Sequence, residues 1–290
     1  MVKKFFKWGS SIGVMSAFVL SLAFVGSANA ATTTVACADL PTAIAAATAG
    51  DTLNVTGNCT LTTNTVVDKQ LTINGVDGAT ISTNGTAQIL TLTADGTTIQ
   101  NLNFVKTDKT GVQNIIGIQG DNVSILNNNF TGQYVLGDPE VSRALEVSTV
   151  SNVTINDNTF NNLRQPAYIN DFATGTINDN YVNETRGFVI VANTDFTFSG
   201  NSWGTNALDI AFIPGAPNNY DCERVRQIVR DNNNANVQNQ AQVTPCPTYP
   251  TTKDSCKNNG YKTFTGMTFK NQGECVSYVA SNGKSGGHQQ

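Results

Sequence analysis

The segments ILNNNF (125–130), INDNTF (155–160), INDNYV (177–182) and FSGNSW (198–203) repeat one phase. An apolar residue is followed three positions later by asparagine, and a large apolar residue comes two positions after that. The shared asparagines are Asn128, Asn158, Asn180 and Asn201, while a related segment, IQNLNF (99–104), carries Leu102 in their place. The five segments start 26, 30, 22 and 21 residues apart. Repeats of about twenty residues or more, each holding short alternating strand patterns, are how a coiled, quasi-one-dimensional β architecture is written into sequence.

Each unit also has an earlier strand: Leu90/Leu92, Ile116/Ile118, Leu145/Val147, Ala167/Ile169 and Val189/Val191. The same phase recurs without reversal, so the strands stack in parallel; a sandwich would alternate polarity through tight hairpins. In a stacked column at about 4.8 Å spacing, each asparagine amide can donate to one neighbour and accept from the other. Asparagine also tolerates the left-handed backbone that a tight corner requires. Phe104, Phe130, Phe160 and Trp203, with Val182 in phase, are expected to stack beside the ladder inside the core.

The ends read differently. Residues 1–30 have a signal-peptide pattern: Lys3, Lys4 and Lys7, an apolar run from about Ile12 to Val25, then Ala28-Asn29-Ala30. This leader holds three of the 17 basic residues and none of the 21 acidic ones, so the rest carries 14 against 21, a formal charge of −7. An acidic chain without a basic run is a poor nucleic-acid partner, and no second apolar stretch is long enough to span a bilayer. A secreted or extracellular monomer is expected, released or loosely attached to a cell surface. Six cysteines fall into three local pairs, Cys37 with Cys59, Cys222 with Cys246 and Cys256 with Cys275, a grouping that favours local disulfides in an oxidising compartment. The predicted organisation is a right-handed parallel β-helix with its caps over 31–231, a polar linker over 232–254, a small Cys-paired motif over 255–280 and a disordered tail over 281–290. An alanine-rich helix after residue 38 and a helix over 219–232 are expected to cover the two ends.

On the ladder, the N-terminal cap and the GDTLNV segment (50–55), residues 38–215 resemble the right-handed parallel β-helix, pectin-lyase-like superfamily, which includes pectate lyases and other polysaccharide-processing proteins. The segment CKNNGYKTFTGMTFKNQGECVSYV (256–279) is similar to cysteine-flanked motifs that end various secreted bacterial proteins.

The sequence lacks the sets that would assign a reaction. The one histidine, His288, sits near the end of the chain, which leaves Ser-His-Asp and Cys-His mechanisms without a base. The superfamily's polygalacturonate hydrolases use Asn-Thr-Asp, an Asp-Asp pair and Gly-His-Gly; here only Asn193-Thr194-Asp195 occurs. Its lyases use carboxylates to hold Ca2+ and an Arg or Lys as base. Asp157 and Asp179 share a phase and either share a cation or stand as two solvated carboxylates. Arg164 and Arg186 also share a phase and are the candidate bases. They lead into strands with outward Tyr168 and Ile190, beside outward Glu146 and Asp171, a combination suited to a saccharide or uronate platform. The insertion GQYVLGDPEVSR (132–143) is expected to rim that face. Two functions follow: non-catalytic binding of a polysaccharide or cell-surface glycan without a cofactor, or a lyase acting on uronic-acid polymers. A flat ice-binding threonine array is disfavoured, because pieces such as Thr91/Thr93 do not recur from coil to coil.

Overall fold

The computed structural model describes residues 30–83, 88–109, 114–139, 142–241, 246–284 and 286–289. The expected leader therefore lies outside the described residues, apart from Ala30. From Thr52 onward each coil of the chain contributes a short strand to three sheets in turn, and all neighbours within these sheets run parallel. Sheet one has eight strands, from Thr32–Ala36 to Asp195–Ser199. Sheet two has seven, from Asn58–Thr60 to Ser202–Trp203, and sheet three has eight, from Thr65–Val67 to Val237–Asn239. The molecule is a parallel β-solenoid.

Strand alternation sends every second side chain inward, and register stacks like on like. In sheet one Ile73, Ile99, Ile125, Ile155, Ile177 and Phe198 are register partners in successive coils, all buried. In sheet two Phe104, Phe130, Phe160, Val182 and Trp203 align. The first three rings stack at 5.0 and 5.2 Å with nearly parallel planes. Val182 ends the stack, and Phe188 from sheet three meets Phe160 edge-on at 5.9 Å instead.

Sheet three corrects one expectation. Its inward column runs Leu92, Ile118, Val147, Ile169, Ile190 and Phe212, so Ile190 points into the core and Val189 is the register partner of outward Tyr168. Seven positions separate Phe160 from inward Ala167, but only six separate Val182 from inward Phe188. A corner shorter by one residue exchanges the two faces of the strand that follows it.

The asparagines lie at the corner between sheets one and two, almost fully buried. Each amide nitrogen donates to the next coil's asparagine oxygen: Asn128 to Asn158 at 3.1 Å, Asn158 to Asn180 at 3.1 Å and Asn180 to Asn201 at 3.0 Å. The oxygens of Asn158, Asn180 and Asn201 also accept the backbone N–H of the asparagine before them, at 2.9, 2.9 and 3.0 Å, and that of Asn128 accepts from Leu102 N–H. The second amide proton goes to a strand carbonyl of the preceding coil, Ile99, Ile125, Ile155 or Ile177. A buried column in which every donor is used is stable where a partly used one is costly. The left-handed backbone belongs to the residue before each ladder asparagine: Asn127 (φ 52°), Asp157 (59°), Asp179 (56°) and Gly200 (68°). The ladder residues themselves do not adopt it, contrary to the reading from sequence.

At the N-terminal end Thr32–Ala36 adds an outer strand against Thr52–Thr56. Helix α1 (Leu40–Ala46) buries Leu40 and Ile44, and Lys69 Nζ donates to the carbonyls of Ile44, Ala45 and Ala47 at 3.2, 2.7 and 2.9 Å. A cation at a helix C-terminus satisfies carbonyls the helix leaves open. At the other end α2 (Cys222–Asp231) is capped by Asp221 and covers the core with Ile228. Asn232 follows at once and extends the ladder, accepting from Asn201 Nδ2 at 2.6 Å. Val237–Asn239, within the stretch expected to be linker, pairs with Ile210–Ile213. The C-terminal motif has its own small core of Cys256, Met267, Phe269 and Cys275, with α3 (Gln272–Ala280) packed around it. His288–Gln289, in the expected tail, pairs antiparallel with Met267–Thr268. All three local disulfides are present, closing 22, 24 and 19 residues. Among the described residues no helix is long and apolar enough to cross a membrane.

Candidate functional site

The outer face of sheet three carries the richest chemistry. Thr91, Gly117, Glu146, Tyr168 and Val189 are register partners in five successive coils. Gly117 leaves a gap that Gln88 fills: a Cβ there would lie 2.6 Å from Gln88 Nε2. That amide donates to Thr91 Oγ1 at 2.6 Å, and Thr91 donates to Asn64 Oδ1 at 3.0 Å.

The arginine serving this face is Arg143, the last residue of the 132–143 insertion and the first of its strand, aligned with Asn114 and Gln165. Its guanidinium lies over the Tyr168 ring at 4.2 Å. Nε donates to Gln165 Oε1 at 2.8 Å and Nη1 pairs with Glu146 Oε2. Glu146 Oε1 accepts from Asn170 Nδ2 at 3.4 Å. Glu146 is thus engaged at both oxygens, and the remaining N–H groups of the guanidinium find no partner among the described residues. Asp171 stands at the corner where the strand ends and accepts from Ser148 Oγ at 2.8 Å. Next to it Phe172 is 62 % exposed with φ of 63°. A bulky side chain held exposed in the left-handed region is a true backbone outlier, the kind that accumulates at binding sites.

Part of the 132–143 insertion, apart from residues 140 and 141, which are not described, is tied to the preceding loop by Lys109 Nζ and Asp138 Oδ2 at 2.7 Å. The Lys109 ammonium holds the Asp138 carboxyl below its ordinary value, and the Val135 N–H adds to this. Tyr134 anchors the insertion with its ring buried.

Of the residues singled out from sequence, Glu146, Tyr168 and Asp171 sit together on this face. Arg164 and Arg186 do not join them. They stack at the corner leading into sheet three, where Arg186 N–H donates to Arg164 O at 2.8 Å. Arg164 is half-buried, and among the described residues its Nε finds no hydrogen-bond partner; Arg186 is exposed. Asp157 and Asp179 occupy adjacent coils as exposed left-handed corner residues, on the opposite corner of the coil. Among the described residues no three His, Cys, Asp or Glu side chains converge on one point. Within Asn193-Thr194-Asp195 two residues are engaged structurally: Thr194 Oγ1 donates to Val191 O at 2.7 Å and Asp195 pairs with Arg224 at 2.6 Å, while Asn193 Oδ1 is buried with no hydrogen-bond partner among the described residues.

A cleft of about 490 Å³ lies between α2 and the C-terminal motif, lined by Glu223, Arg226, Arg230, Tyr249, Tyr278 and Asn282. Both of its guanidiniums pair with Glu223, at 3.5 and 3.0 Å, and Arg226 also covers Tyr249 at 4.8 Å. The two ion pairs are internal to α2 and Arg226 is stacked on Tyr249, so these charges are already engaged with one another and sheet three is the stronger candidate. Arg143 could have been found from sequence by aligning it with Gln165, since each stands three residues before an outward residue; the exposure of Phe172 leaves no sequence signal. No protein-family model matches the chain, and no curated protein matches it in sequence.

Proposed function

We propose that this is a secreted β-helix protein of the pectin-lyase-like kind that binds an acidic glycan on the outer face of sheet three without cleaving it. The observation that carries the reading is Arg143 over the Tyr168 ring at 4.2 Å, fixed by Glu146 and Gln165. A guanidinium with free donors suits a sugar carboxylate, and amide and hydroxyl neighbours suit ring hydroxyls. Exposed Phe172 offers a face to the C–H side of a pyranose. Strands hold Arg143, Glu146 and Tyr168 before any ligand arrives, which lowers the entropy cost of binding. Binding without cleavage is favoured because Glu146 is bonded at both oxygens and Arg143 is paired and stacked, leaving neither as a free base. Three disulfides suit an oxidising, extracellular setting.

The test is affinity electrophoresis through gels containing uronic-acid polysaccharides, with and without calcium. The folded protein should be retarded, and Arg143→Ala or Phe172→Ala should weaken retardation about tenfold, the worth of one charged or stacking contact of roughly 1.4 kcal/mol. Equal retardation of both variants removes the proposal. New absorbance from unsaturated sugar products would replace it with the lyase reading.

A further inference from the structure

Ala31 is held at both of its backbone ends. Its nitrogen lies 2.8 Å from Asp51 Oδ1, and its carbonyl accepts Thr52 N–H at 2.7 Å. Asp51 is only 9 % exposed, and its other oxygen is fixed by Thr48 N–H at 2.8 Å and Thr48 Oγ1 at 2.9 Å. This carboxylate is anchored by one oxygen and aims the other at the main-chain nitrogen of residue 31, the residue that follows Ala28-Asn29-Ala30. Ala30 is exposed.

We propose that cleavage between Ala30 and Ala31 creates a new N-terminus which Asp51 receives as an ion pair. The inference rests on the leader reading of residues 1–30 and is independent of glycan binding. A leader peptidase adds water across the Ala30–Ala31 amide. Ala30 departs with the leader as a carboxylate, and the Ala31 nitrogen becomes an amine that takes up a proton at neutral pH. Before cleavage that nitrogen offers Asp51 one neutral amide N–H; afterwards it offers an ammonium, and the bond is assisted by charge on both sides. Position gives the change its weight. Thr32–Ala36 is an edge strand whose residues are mostly exposed, paired on one side with Thr52–Thr56. Processing would therefore tighten a hold on the outermost strand that the uncleaved chain already makes through a neutral N–H.

Secretion of the full chain followed by intact-mass measurement should give a product beginning at Ala31. Four forms of that product then separate charge from hydrogen bonding: free or Nα-acetylated Ala31, each with Asp51 or Asp51→Asn. Acetylation keeps the N–H donor and removes the charge. The free amine should raise Tm by about 2 °C or more over the acetylated form, and the gain should vanish in Asp51→Asn. A different mature N-terminus, or equal Tm for the free and acetylated forms of the Asp51 protein, overturns the proposal. The comparison in the Asp51 protein decides the matter even if Asp51→Asn fails to fold.

Discussion

Replacing Asn158 with leucine should cost about twice as much as the same change at Asn128, although both sit in one column. Leucine already occupies that position at Leu102, whose backbone N–H donates to Asn128 Oδ1 at 3.0 Å. Below Leu102 stands Ala79, whose N–H bonds locally to Val76 O, so no ladder amide points at leucine. In Asn128→Leu, one buried donor, Leu102 N–H, loses its acceptor. In Asn158→Leu two lose theirs, Asn128 N–H at 2.9 Å and one Asn128 Nδ2 proton at 3.1 Å. An orphaned buried donor costs about 1–3 kcal/mol. On the same scale Asn128→Leu should cost about 1–3 kcal/mol and Asn158→Leu about 2–6 kcal/mol. For a chain of this size the larger loss lowers Tm by on the order of 10 °C. Urea unfolding followed by far-ultraviolet circular dichroism, with midpoint and slope fitted together, gives both numbers. The reasoning fails if Asn158→Leu is no costlier than Asn128→Leu, or if both stay within about 0.5 kcal/mol of wild type, the usual range for surface changes.

Gly175→Ala places a Cβ 2.0 Å from Val153 O and 2.8 Å from a Phe196 ring carbon, so it should destabilise by about 1–3 kcal/mol or more, read as a lower urea midpoint. Burial raises the Asp209 carboxyl above its ordinary value against the opposing bonds from Asn236 N–H and Asn206 Nδ2. A raised folded value means that its contribution is fully present below the unfolded pKa of about 3.9 and is lost as pH rises through the folded value. The Tm of wild type minus that of Asp209→Asn should therefore fall from pH 3 to pH 7; a flat or rising difference contradicts the assignment. Removing Cys256 and Cys275 together opens a loop of 19 residues around a four-residue core, a loss of about 3 kcal/mol that the motif cannot absorb. Limited proteolysis should then cut within 249–284 while the solenoid stays intact.

What the sequence made legible was whatever repeats. The asparagine phase gives the parallel coils, and proximity in sequence gives the three disulfides. Features without a period were hidden. Asn232 ends the ladder, yet it follows Asn201 by 31 residues and a helix, so no spacing announces it. The sheet-three faces depend on corner length: one residue fewer before Phe188 turned Ile190 inward. Arg143 escaped notice because it ends an insertion, whereas Arg164 and Arg186 drew attention by sharing a phase. Their alignment is real, but it places them on a corner and not on the platform. The Thr32–Ala36 strand lies outside the repeat and is recruited by pairing with Thr52–Thr56.

Glycan binding on sheet three is tested most directly by hydrogen–deuterium exchange of the folded protein with and without a soluble uronic-acid oligosaccharide. Added protection should appear in peptides covering 143–148 and 165–172, with none over the N-terminal cap at 38–60. Protection confined to 223–230 and 249–282, or absent everywhere at saturating ligand, would contradict the assignment of function to the Arg143–Tyr168 face.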